Sequence, residues 1–178
     1  MKTRLQTKRL TFSAILTGIS VLFLAAAVAL PSGRIAALAI AGVPILLLDL
    51  ALGRKYAVLG CLAASLLCFF FGGSATMLAF LLFFGSYPIV KDFLQARLYG
   101  KRGLILFAKF LFFDAMMLLL FLLAKAFLWA DWNSLLAPWK LAACVLGGNL
   151  VFYFYDQAIG RCGSILYFRL RKYIDQLR

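Results

Sequence analysis

The sequence predicts an all-α protein, a polytopic membrane helix bundle of about six transmembrane helices with cytoplasmic N- and C-termini. Three observations carry this prediction. Hydrophobic residues make up 65% of the chain and charged residues only 14%. The uncharged runs have the length of a bilayer crossing, and Lys and Arg gather in clusters beside alternate runs. A soluble globular domain is about 45–50% apolar and about 25% charged, so this chain lacks the polar side chains to cover a water-facing surface. Its 178 residues are read as a single membrane domain, 1–178.

The first span is 11–30, preceded by Lys2, Arg4, Lys8 and Arg9. As a helix it is about 30 Å long, the thickness of a bilayer core. A basic start, an apolar stretch and Ala27-Val28-Ala29 also match a cleaved signal peptide. The length of the apolar run, with further spans directly after it, favours a retained first helix. Pro31-Ser32-Gly33-Arg34 forms a turn by composition. The second span, 35–52, contains Pro44, which membrane helices tolerate with a kink.

Residues 56–90 run for 35 positions without a charge, too many for one crossing. Gly72-Gly73-Ser74 divides the run into 56–71 and 76–90. These are either two short spans or a re-entrant hairpin. Residues 91–103 form a polar connection with Lys91, Arg97, Lys101 and Arg102. The fifth span, 104–129, holds Lys109, Asp114 and Lys125, and Pro138 opens the last, 138–155. In the tail, 161–178, Arg169, Arg171, Lys172 and Arg178 alternate with apolar residues, as in a basic interfacial helix on anionic lipid.

Charge sets the predicted orientation. With the N-terminus inside, 15 Lys and Arg fall on the cytoplasmic side and 2, Arg34 and Lys140, outside. Trp129, Trp132 and Trp139 cluster at the outer ends of the last two spans, as in an interfacial belt. The net charge of +13 is explained by topology, so no nucleic-acid partner is expected.

All six acids are Asp, and His and Glu are absent. That removes His–carboxylate metal sites, Ser–His and Cys–His nucleophile pairs and any glutamate base, so neither metal, cofactor nor enzymatic activity is expected. Cys61, Cys68, Cys144 and Cys162 form no CxxC; Cys61 and Cys68 share a helix face but stand about 10 Å apart along it.

Ionisable groups inside a bilayer are costly and mark candidate sites. Asp114 lies deepest. Lys125 falls on the same side of its helix about 16 Å away. On the antiparallel last helix, Asn149 reaches the depth of Asp114, and Asp156 that of Lys109. With Trp132 at the outer rim, Asp114, Asn149 and Lys125 are the candidate ligand-binding residues. Each has a plainer role: Lys109 and Lys125 snorkel to the interface, Asp49 and Asp156 are solvated, and Asn149 bonds Asp114 as interhelical glue. Ala14/Gly18, Ala37/Ala41, Gly60/Ala64 and Ala143/Gly147 place small residues four apart, for close packing inside the bundle or against a partner.

Lys8-Arg9-Leu10-Thr11 leads into an Ala/Gly-spaced first helix, and Gly53-Arg54-Lys55-Tyr56-Ala57-Val58-Leu59-Gly60 forms a glycine-and-basic turn. Over about the first 75 residues the chain resembles the substrate-binding S components of energy-coupling-factor vitamin transporters, and related bacterial six-helix membrane proteins. The resemblance implies a partner-docking face at Ala14 and Gly18, although the second position is Gly where the family has Ala. It also implies a ligand near the outer side, where the tryptophans fall. From Lys91 onward no vitamin-specific pattern is present.

The expected function is therefore an integral membrane substrate-binding subunit for uptake of a small-molecule ligand. Its expected setting is the lipid of the bacterial cytoplasmic membrane, with a transmembrane coupling subunit and an ATPase pair as partners. The chain has no P-loop of its own. The alternative is a non-catalytic membrane scaffold or assembly partner.

Overall fold

The computed structural model describes residues 2–30, 32–98, 101–127 and 138–175. Among them the chain is all-α: α1 (Lys2–Ala29), α2 (Arg34–Leu52), α3 (Arg54–Ala79), a π-helical stretch (Phe80–Gly85), α4 (Ser86–Arg97), α5 (Arg102–Phe127) and α6 (Pro138–Asp175). Gln6–Ala29, Arg34–Leu52, Arg54–Arg97 and Gly103–Leu123 are long and apolar enough to cross a membrane. Helix is the outcome because a spanning segment in lipid must satisfy its backbone internally. Several hydroxyls do likewise: Ser65, Thr76 and Ser86 donate to the carbonyls of Cys61, Gly72 and Leu82, each one turn back.

The helices run past the expected spans. α1 continues back through the basic start, and α4 carries helix into the expected polar connection as far as Arg97. α6 is 38 residues long without a break, about 57 Å, so helix runs on from the expected last span into the expected tail.

Residues 1–90 and 159–178 form one compact unit, and residues 91–158 a second. The first unit is built on α1, α2 and α3. Leu16, Leu24 and Ala27 of α1 meet Ala41, Ile45 and Leu48 of α2 and Ala57, Cys61, Ala64 and Cys68 of α3 in one apolar core. Gly60 lets these three helices close up: a Cβ there would lie 2.7 Å from Leu48 Cδ1 and 3.0 Å from Thr17 Oγ1. Ser20 of α1 donates to the Ala41 carbonyl of α2 at 2.7 Å, in the turn disturbed by Pro44. From the end of α6, Leu166 and Leu170 pack onto the same core.

Two glycines turn the chain. Gly53, at φ 92°, ends α2, its N–H bonded to the Asp49 carbonyl. Gly73, at φ 73° and ψ 174°, breaks helical geometry inside α3, a conformation that favours residues without a Cβ. Downstream, Pro88 lacks the N–H that would bond Phe84 and its ring crowds that carbonyl, which accounts for the wider π-helical turns before it. Gly85 in those turns allows close approach to α3, since a Cβ would meet Cys61 Sγ at 2.5 Å.

In the second unit, α5 runs against the first half of α6. Phe113 stacks on Phe152 with ring centroids 4.5 Å apart, and Phe110 meets the same ring edge-on at 5.7 Å. These contacts hold the two helices in the register that positions the polar residues beside them.

Candidate functional site

On α5, Lys109, Phe110, Phe113 and Asp114 recur at the three- and four-residue spacing of one helix face. On α6, Asn149, Phe152 and Asp156 do the same. The antiparallel match brings Asn149 to Asp114 and Asp156 to Lys109, with Phe152 and its aromatic partners between the two contacts.

The upper contact is a single hydrogen bond. Asn149 Nδ2 donates to Asp114 Oδ1 at 3.1 Å and to the Val145 carbonyl at 3.0 Å. Asp114 is exposed and Asn149 half-buried. Asn149 Oδ1 is shielded and has no hydrogen-bond partner among the described residues. An amide oxygen in that state is an acceptor waiting for a donor.

The lower contact is a buried ionic cluster. Lys109 Nζ donates to Asp156 Oδ1 at 3.0 Å and to Oδ2 at 2.9 Å. Lys91, from α4, places its Nζ 2.6 Å from Asp156 Oδ1 and donates to the Asp156 backbone carbonyl at 2.6 Å. Exposure is 7% for Lys91, 6% for Lys109 and 7% for Asp156, so none of the three is solvated. Lys109 and Asp156 thus pair with each other, where the sequence favours a snorkelling lysine and a solvated aspartate. Charges removed from water are costly unless paired and hydrogen-bonded, and two ammonium groups here share one carboxylate.

No family model, curated protein or solved structure matches this chain. The chemistry of the site is therefore read from its geometry alone. The seam of α5 and α6, joined by Lys91 of α4, offers an exposed carboxylate beside an amide oxygen without a partner among the described residues, and two buried cations around a carboxylate.

Of the residues singled out in the sequence, Asp114 and Asn149 come together. Trp132 lies outside the described residues, as does the side chain of Lys125. Ala14 and Gly18 are exposed on α1, and among the described residues nothing stands within 4 Å of a Cβ built on Gly18. The small pairs thus divide: Ala37, Ala41, Gly60 and Ala64 are buried, while Ala14, Gly18 and Gly147 face outward. Cys61 and Cys68 are buried free thiols and Cys162 is exposed.

Lys91 is the member of the seam that the sequence reading missed. It ends the 35-residue uncharged run and begins a basic segment, so it reads as the first residue of a solvated connection. Its one distinguishing sign is its place a single turn after Tyr87-Pro88, both of which are buried.

Proposed function

We propose that this chain is a multi-pass protein of the bacterial cytoplasmic membrane, with six spans and both termini in the cytoplasm. In this reading it binds a small solute for uptake, without catalysis, and works with a transmembrane coupling subunit and an ATPase pair. The observation that carries the reading is the polar seam of α5 and α6. Asp114, Asn149, Lys109 and Asp156 lie along facing stretches of α5 and α6 whose other residues between 103 and 124 and between 141 and 156 are mostly apolar, where polar side chains are expensive and mark solute or ion pathways. The open face at Ala14 and Gly18 supports a docking role, because small exposed residues admit a partner helix at short distance. The 15-to-2 charge partition supports the orientation.

A membrane scaffold or assembly partner is the second reading. One observation favours it: Asp114 is exposed at the surface of the chain, where a neighbouring protein would cover it as well as a solute would.

Copurification separates the two. The transport reading expects an ATPase pair and a transmembrane coupling subunit to follow the tagged chain out of the membrane, and to be lost with Gly18→Leu. Recovery of the chain by itself, or with unrelated membrane proteins, would sink that reading and leave the scaffold.

A further inference from the structure

Asp156 supplies one negative charge to two buried lysines, which leaves the cluster with one positive charge in excess. Hydrogen bonding is incomplete in the same place. An ammonium group carries three N–H donors. Lys91 uses two, on Asp156 Oδ1 and its backbone carbonyl, and Lys109 uses two, on the carboxylate oxygens. Each therefore keeps one N–H without an acceptor among the described residues. Asp92, next to Lys91, forms no ion pair among those residues, and Asp114 is bonded to Asn149.

We infer that Lys91 and Lys109, held by Asp156, form a binding site for an oxyanion, a phosphate or carboxylate group. Both ammonium groups lie within 3.0 Å of Asp156 Oδ1, so they stand no more than about 6 Å apart, a gap that one group accepting through two oxygens closes. Such a group supplies the missing negative charge and the two missing acceptors together. Asp156 acts as the positioning residue: it holds the lysines side by side and sets how much positive charge remains. The inference goes beyond the transport reading and does not depend on it, because the anion is either free in solution or the phosphate of a lipid headgroup.

The test is thermal unfolding of the purified chain in neutral detergent, titrated with sodium phosphate and with sodium acetate against sodium chloride at equal ionic strength. In parallel, the chain is placed in nanodiscs of phosphatidylcholine alone or with phosphatidylglycerol. A free-anion site gives a saturable rise in midpoint with phosphate or acetate. A headgroup site gives the rise with phosphatidylglycerol instead. In either arm Lys91→Gln and Lys109→Gln weaken the response at least about tenfold. The wild-type titration needs no variant to fold. No response to phosphate, acetate or phosphatidylglycerol would overturn the inference. A response unchanged in both lysine variants would overturn it too.

Discussion

Asn149 and Asp114 meet across α5 and α6, the amide donating to the carboxylate at 3.1 Å, while the amide's own oxygen has no partner among the described residues. The bond is thus one-sided: it satisfies a donor and leaves an acceptor free. Asp114→Asn keeps an oxygen for Asn149 to bond, so the protein should fold and insert normally, with a stability change within about 1 kcal/mol. If the carboxylate binds solute, the same variant loses affinity for a polar or cationic solute. Normal transport by Asp114→Asn would reduce the pair to helix glue.

The ionic cluster predicts an asymmetry among its members. Removing Asp156 strands two buried cations, whereas removing either lysine leaves a balanced pair. Asp156→Ala should therefore cost about 3–5 kcal/mol, and Lys91→Met or Lys109→Met distinctly less. Unfolding in mixed detergent micelles measures the order, and equal losses for all three would contradict the geometry.

Gly60 and Gly18 should respond in opposite ways to added bulk. A Cβ at Gly60 collides with Leu48 and Thr17, so Gly60→Val should destabilise the first unit by about 1–3 kcal/mol. Among the described residues, a Cβ at Gly18 meets nothing within 4 Å. Gly18→Leu should leave the unfolding midpoint unchanged and abolish partner copurification. Loss of folding in Gly18→Leu would place that residue inside a helix contact.

Orientation is testable with impermeant thiol reagents. Cys162 and cysteines placed at the exposed positions Lys55 and Lys101 should label from the cytoplasmic side, and Ser32→Cys from outside. Ala51, at the end of α2 just before Gly53, is a poor probe because it is buried. Outside labelling at position 101 would overturn the proposed topology.

Some of this architecture was legible in the residues alone. Long uncharged runs must be helical if they lie in lipid, since no other segment satisfies its own backbone there, and the described residues are indeed helical. Gly72-Gly73-Ser74 announced a break, and Gly73 supplies it through a positive φ. Rise per residue along an antiparallel pair also put Asn149 near the depth of Asp114 and Asp156 near that of Lys109, although it did not show that Lys109 and Asp156 pair rather than reach water.

What the sequence by itself determined is therefore what depends on one helix at a time: the helical class, the interruption at Gly73 and the height of each polar residue. What only the tertiary structure decided is facing. It turned Gly60 and Ala64 inward and Ala14 and Gly18 outward, and it drew Lys91 out of an apparent polar connection onto Asp156. The reason is physical. Membrane helices are apolar on every side, so the stripe that marks the buried face of a soluble helix is missing. A lysine at the end of such a run carries no sign of whether it meets water or a carboxylate until the neighbouring helix is packed against it.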